Sequence, residues 1–160
     1  MSIHIHRVFW FTIICSIFLT ACGTTGKNAP INIEQETINL LKIDNEFAQA
    51  SMKKGLKNAY LDYIDSNAVL LRPNSLPIVD AEAVDYIVGL SDTAYDISWK
   101  PTAAYLSNGA DLGYSYGVYE INLHEQGKPV FGTYITVWKK QADGNWKFVL
   151  QSNNDGVSVP

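Results

Sequence analysis

Asp44 is the residue whose type and position most need a chemical explanation. It stands between Leu40 and Phe47 in a stretch whose apolar residues recur at helical spacing, so its carboxylate projects from the apolar side of a helix, with Ser51 two turns on. An unpaired buried charge there costs as much as a domain's whole stability margin, so the group needs a partner or a wet cavity. Two readings follow. One is a structural carboxylate bonded to backbone, an aromatic hydroxyl or an indole N–H; the other is a polar group of a pocket, where interior carboxylates cluster. Arg72, before Pro73, offers a planar fork of donors to Asp44 or to an anionic ligand, or is an exposed or internally paired arginine. Tyr119, Tyr134, Thr136, Gln151 and Asn153 are neutral hydrogen-bonding groups in strand-like runs.

Other chemistry is excluded. Gly113-Tyr114-Ser115-Tyr116-Gly117 fits G-x-S-x-G, but a nucleophile elbow needs a strand-to-helix turn, and this pentapeptide sits within one strand-like run. Asn153-Asn154-Asp155-Gly156 suggests a calcium loop without the distal Glu such loops require, and reads as a turn. Once the N-terminal segment described below is set aside, His124 is the remaining histidine, beside a predicted turn at Glu125-Gln126-Gly127-Lys128. The pattern therefore predicts no metal site, no histidine triad and no cofactor.

Helices and strands must position these groups. Asn32 with Gln35 three residues later resembles a capping box, and Glu34 and Glu36 suit the positive end of a helix. That helix is predicted to run to about Lys54, with Leu40, Leu41, Ile43, Phe47, Ala48 and Met52 on its apolar side. A short second helix over 56–64 follows, with Leu56, Tyr60 and Ile64 at i, i+4 and i+8, then a strand over 68–72 and a loop over 74–79. Asp80 is the expected N-cap of a third helix reaching Gly89, with Val84, Ile87 and Val88 as its apolar face. Beyond Ser91 the sequence reads as a meander of strands near 96–106, 111–123, 130–140 and 146–154, turning at Asn108-Gly109, Gln126-Gly127 and Asp143-Gly144.

The turns imply a register. A two-residue turn at Asp143-Gly144 pairs Trp138 with Val149, Thr136 with Gln151 and Tyr134 with Asn153; a turn centred on Gln126-Gly127 pairs Tyr119 with Tyr134 and Gly117 with Thr136. Alternation then puts Ser115, Gly117, Tyr119, Tyr134, Thr136, Trp138, Val149, Gln151 and Asn153 on one polar-aromatic face. Trp99, Tyr114, Tyr116, Val118, Ile135, Val137, Phe148 and Leu150 form a greasy opposite face, and a slip of one residue in either turn would exchange the sets.

The N-terminal segment is of another kind. Met1 to Arg7 ends in a positive charge, an uncharged, mostly apolar run of 14 residues (8–21) follows, and Leu19-Thr20-Ala21-Cys22 closes it. The run is short for a spanning helix and right for a signal-peptide core. Leu-Thr-Ala-Cys resembles the bacterial lipobox, which implies cleavage after residue 21, a lipid on Cys22 and, with Gly rather than Asp at position 23, delivery to the outer membrane. Cys15 would be removed with the signal, so no disulfide is expected. Residues 23–31 have the small, polar, Pro-terminated composition of a tether, and the expected division is 1–21 signal peptide, 22–33 lipidated Cys and tether, and 34–156 domain. Of 160 residues 47% are hydrophobic, which suits one globular domain. Without Arg7 the chain keeps 11 of its 12 Lys and Arg against 16 Asp and Glu, a net charge of about −5, which makes nucleic acid a poor partner.

Three helices around one short strand, then a long antiparallel meander, with Leu70-Leu71-Arg72-Pro73 before the third helix, DLGYSYGVYEI, and GKPVFGTYITVWKKQADGNWKFVLQ near the end, resembles the SnoaL-like proteins of the nuclear transport factor 2 and ketosteroid isomerase superfamily over about residues 35–155. The resemblance is to its small bacterial members of unknown function. It implies an α+β cone in which a curved, mainly antiparallel sheet wraps three N-terminal helices around a cavity, and an outer sheet face that makes a homodimer. It assigns the Tyr134, Thr136, Gln151 and Asn153 face to that cavity, with Asp44 pointing in. Two departures bear on activity. Ketosteroid isomerases carry a carboxylate base before the proline, where this chain has Arg72, and a second acid on the strand where this chain has Thr136, so proton transfer by that mechanism is disfavoured.

The expectation is an envelope lipoprotein that binds a small organic ligand without catalysis. Asp44, Arg72, Tyr119, Tyr134, Thr136, Gln151 and Asn153 would offer it polar contacts, and Phe47 and Trp138 apolar walls. The alternative is a cofactor-independent cyclase, isomerase or hydrolase using Asp44 as acid or base with Tyr134 as its partner. A scaffold acting only through its dimer face is a third.

Overall fold

A computed structural model describes residues 30–91, 93–124 and 128–156. The expected signal peptide, Cys22 and most of the expected tether lie outside these residues, as does the predicted turn at Gln126-Gly127.

Helix α1 spans Ile33–Lys54, and its first turn is closed as expected: the Asn32 side chain accepts from the Gln35 amide at 3.0 Å. Leu40, Asp44, Phe47, Ala48 and Ser51 form its buried stripe, one turn apart on a single face. Met52 lies outside that stripe and is exposed, contrary to expectation. Gly55, with φ of 88°, ends α1 and lets α2 (Leu56–Tyr63) turn back against it.

Strand β1 covers Ile64–Leu71, starting earlier than its apolar run, and the expected loop contains a two-residue strand β2 (Ile78–Val79). Helix α3 is Asp80–Val88. Asp80 is not its cap: the N-cap position falls on Val79, and Asp80 opens the helix at φ 51° without a capping bond. The buried residues of α3 are Ala83 and Ile87, while Val88 is exposed, so the inward face lies one step from the predicted one.

Strands β3 (Tyr95–Leu106), β4 (Leu112–Leu123), β5 (Val130–Lys140) and β6 (Trp146–Asp155) form the predicted meander. The sheet has six strands in the order β2-β1-β6-β5-β4-β3, antiparallel except where β1 lies parallel to β6. The helices cover one face, with α1 chiefly on β3 and α3 on β1.

The register departs from expectation in three places. At the last hairpin Gln141 and Asn145 close a loop of one more residue than predicted, with Gly144 at φ 87°; the Gln141 amide donates to Asn145 O at 2.7 Å and the Gly144 amide to Gln141 O at 2.9 Å. Trp138 therefore pairs with Phe148 rather than Val149. A bulge then absorbs the extra residue, so that Thr136 with Gln151 and Tyr134 with Asn153 pair as predicted. Phe148 consequently faces the helices and is fully buried, although alternation had put it on the other side. A second bulge between Pro101 and Ala103 brings Trp99 opposite Tyr119 and moves it to the inner face as well. Finally, β4 and β5 pair two residues out from prediction: Tyr119 faces Gly132, Gly117 faces Tyr134, and Gly113 faces Trp138. A shift of two preserves side-chain parity, so the inner-face assignments on these strands survive.

Two of those aromatic rings, Tyr134 and Tyr119, lie against the glycine across the strand gap. A Cβ at Gly117 would stand 2.9 Å from Tyr134 Cε1, and one at Gly132 would overlap the Tyr119 ring. The core between sheet and helices centres on Phe47, which contacts the rings of Tyr60, Tyr63, Trp99, Trp138 and Phe148 at centroid distances of 4.8–6.2 Å.

Candidate functional site

Two polar groups lie on the helix-facing side of the sheet. The first centres on Asp44, held by α1 in the middle of the apolar stripe and fully buried. Trp99 Nε1 donates to its Oδ1 at 3.0 Å, the Tyr134 hydroxyl donates to its Oδ2 at 2.8 Å, and the Ser115 hydroxyl donates to the same carboxylate. Ser115 Oγ in turn accepts from Trp138 Nε1 at 2.8 Å. Burial pushes the Asp44 carboxyl above its ordinary range, opposed by these hydrogen bonds from Ser115, Tyr134 and Trp99. Burial and the neighbouring Asp44 charge likewise push the Tyr134 hydroxyl up, so it stays a donor. The arrangement satisfies the acceptors of a carboxylate that an amphipathic helix carries into the core, using uncharged donors from β3, β4 and β5.

The second group lies where β1 and β6 run side by side. In that parallel pairing Leu70 faces Gln151 and Leu71 faces Ser152; Arg72 and Asn153 are the next residues along the two chains. The Arg72 guanidinium donates from Nη2 to Gln151 Oε1 at 2.8 Å, and from Nη1 to Gln151 O at 3.3 Å and to Leu71 O at 3.2 Å. Its Cζ stands 5.8 Å from the centroid of the Tyr86 ring on α3. Gln151 Oε1 also accepts from the Tyr60 hydroxyl at 2.6 Å, while Gln151 Nε2 reaches Thr136 Oγ1 at 3.4 Å. The Tyr119 hydroxyl donates to Asp155 Oδ1 and, at 3.3 Å, to Asn154 O. Burial raises the Tyr60 and Tyr119 hydroxyls above the ordinary phenol range; for Tyr119 the Asp155 carboxylate adds to this, and the Arg72 charge pulls both back. The Asn153 Oδ1 atom is shielded from solvent and has no partner among the described residues.

The predicted residues therefore divide. Asp44, Phe47, Tyr134 and Trp138 belong to the packed interior, with Thr136 reaching Gln151 at the boundary; Arg72, Tyr119, Gln151 and Asn153 belong to the second group. Among the described residues no hydrogen bond or ion pair joins Asp44 and Arg72: Asp44 accepts from Trp99 and Tyr134, and Arg72 donates to Gln151 and Leu71 O. Sequence reasoning missed Tyr60, Trp99, Ser115 and Asp155 as partners. The bulge that turns Trp99 inward leaves no mark in residue alternation, whereas Ser115 already stood on the correct face. It lies in mid β4, not at an elbow, and its hydroxyl serves Asp44. Asn153 to Asp155 end β6. His124 is exposed, with Nδ1 2.8 Å from Thr93 O and Nε2 3.2 Å from Asp96 Oδ2. Among the described residues no cluster of His, Cys, Asp and Glu could hold a metal ion.

Three helices laid on one face of a six-stranded, largely antiparallel sheet define an α+β cone. It is the fold of the nuclear transport factor 2-like (NTF2-like) and ketosteroid isomerase-like proteins. A ketosteroid isomerase-like protein from Erwinia carotovora superposes with a TM-score of 0.61 at 15% identity, covering 80% of this chain and 100% of that one. An NTF2-like protein of unknown function from Pseudomonas putida gives 0.63 at 9% identity, over 78% and 89% of the two chains. The CaMKII hub of S. rosetta gives 0.59 at 17%, over 75% and 96%. The likeness is one of fold. No family model matches the sequence, and a search of curated proteins finds no match.

Proposed function

We propose that this protein is a lipid-tethered envelope protein that binds a small, partly polar organic molecule in its cone without transforming it. The observation that carries the reading is the convergence of Tyr60, Arg72, Tyr119, Gln151 and Asn153 at the β1/β6 end of the inner face, where Asn153 Oδ1 is shielded and unpartnered. A shielded acceptor without a donor costs about 1–3 kcal/mol, a cost that a ligand's donor removes on binding. Absence of catalysis is supported by Asp44, whose carboxylate is already engaged by donors from Trp99, Ser115 and Tyr134 and is closed off from solvent. The envelope location and the lipid on Cys22 rest on Leu19-Thr20-Ala21-Cys22 and the apolar run before it. A homodimer through the outer sheet face is supported by the partly exposed Tyr114, Tyr116, Val118 and Ile135 on neighbouring strands.

The second reading is a cofactor-independent enzyme with Asp44 as acid or base and Tyr134 beside it. It is favoured by one observation, that burial raises the Asp44 carboxyl toward the range useful for proton transfer. Native mass spectrometry of the full chain from its own host separates the readings. An unaltered small molecule that co-purifies with wild type and with Asp44→Asn supports binding. A molecule that accumulates in a different chemical form on the Asp44→Asn variant supports the enzyme.

A further inference from the structure

Resting on the binding reading above, the geometry points to the class of ligand: a small organic anion whose carboxylate or phosphate sits on the Arg72 guanidinium and whose adjoining hydroxyl or amine proton is donated to Asn153 Oδ1. A guanidinium has five N–H donors. Three are engaged, Nη1 with Leu71 O and Gln151 O, and Nη2 with Gln151 Oε1, so the end-on edge of the fork is occupied by Gln151. Among the described residues the Nε–H and the second Nη2–H have no acceptor. They lie side by side on the other edge, which takes a carboxylate or phosphate through two parallel hydrogen bonds.

The charge is also open. Among the described residues no carboxylate stands within ion-pair distance of Arg72; Asp155, which accepts from the Tyr119 hydroxyl, forms no ion pair with it. The guanidinium is half-buried rather than free to swing into water: Gln151 holds its edge and the Tyr86 ring lies under its plane. An arginine fixed in this way is preorganised, because the ligand need not order it. One step beyond the pairing of Leu71 with Ser152 the two chains carry Arg72 and Asn153, whose shielded Oδ1 is an acceptor without a donor, and the Tyr60 and Tyr119 hydroxyls, raised by burial, add no competing negative charge at neutral pH. A neutral ligand would leave the open edge of Arg72 unused. A cation would meet the guanidinium as a like charge.

The test uses the full-length chain purified in detergent at low salt. It is titrated with glycolate, which carries a carboxylate and an adjoining hydroxyl, with its neutral methyl ester, and with inorganic phosphate, while the Arg72 Nε–H and Asn153 side-chain amide resonances are followed by NMR. Saturable movement of both resonances with glycolate, and none with the ester, is expected; a response to phosphate alone would assign the anion as a phosphate. Arg72→Gln should weaken the response about 10- to 100-fold, and Arg72→Lys, which keeps the charge and the fold but not the fork, by a smaller factor. Equal binding of acid and ester, or an Arg72 resonance unmoved by glycolate and phosphate, overturns the inference. In that event, a neutral molecule co-purifying from the host would leave the binding reading standing, and the lack of any co-purifying molecule would remove both.

Discussion

The Tyr134 hydroxyl donates to Asp44 Oδ2 at 2.8 Å across 90 residues of sequence, joining the middle of α1 to the middle of β5. Neither group has access to water, so each depends on the other. Tyr134→Phe leaves the ring packed against Gly117 and takes one donor from the carboxylate. We expect a loss of about 1–3 kcal/mol, read from urea denaturation midpoints with unchanged m-values. Trp99→Phe should cost a similar amount, and the double variant should depart from additivity because both act on one carboxylate.

Asp44 also makes stability depend on pH. Its folded-state pKa is raised by burial above the ordinary 3.8, so the folded protein holds this proton more tightly than the unfolded chain. Its contribution is fully present below pH 3.8 and is lost as pH rises through the folded-state value. The stability of wild type relative to Asp44→Asn should therefore fall with rising pH over that window and then level off. Asp111 and Asp143, whose values are lowered by hydrogen bonds, act in the opposite direction and cancel in the difference. A flat or rising difference across a series of urea titrations would contradict the assignment.

Glycine is required at some positions for room and at others for backbone conformation. A methyl at Gly132 would collide with the Tyr119 ring and Asn154 O, so Gly132→Ala should cost about 1–3 kcal/mol or more and displace Tyr119 from Asp155. Gly144 has open space around it and φ of 87°, and Gly144→Ala should cost only about 1 kcal/mol, from the left-handed backbone alone. Thermal melting of the two variants side by side checks the order.

The outer sheet face provides a test of the proposed dimer. Tyr116 and Ile135 lie directly opposite each other on β4 and β5, and both are more than a third exposed. If two copies meet there, light scattering on the wild type gives about twice the monomer mass, and Tyr116→Lys with Ile135→Lys returns it to the monomer mass by placing like charges together. A monomeric wild type would end the proposal.

Replacement of Cys22 by Ser tests the anchor. Wild type should take up labelled palmitate and fractionate with membranes, and the variant should do neither. Membrane association that persists without label would sink the lipoprotein reading.

Much of this molecule was legible as sequence. Helical periodicity located α1 and its cap, turn residues and β-branched runs located the meander, and alternation put Tyr134, Thr136, Gln151 and Asn153 on one face. These signals are local, carried by residues a few positions apart, and local order is what they report. The open question at Asp44 was visible too, because a carboxylate in an apolar stripe is a conflict that residue spacing exposes by itself. Its answer was not. Trp99 and Tyr134 reach Asp44 from 55 and 90 residues away, and Arg72 finds Gln151 at 79, through strand pairings whose register shifts at three places. A bulge inserts one residue and reverses every side chain beyond it without altering composition or spacing, as Trp99 and Phe148 show. Only the folded sheet, where each pairing is chosen against all the others, decided that Asp44 is a satisfied core group and that Asn153 Oδ1 is left shielded without a donor.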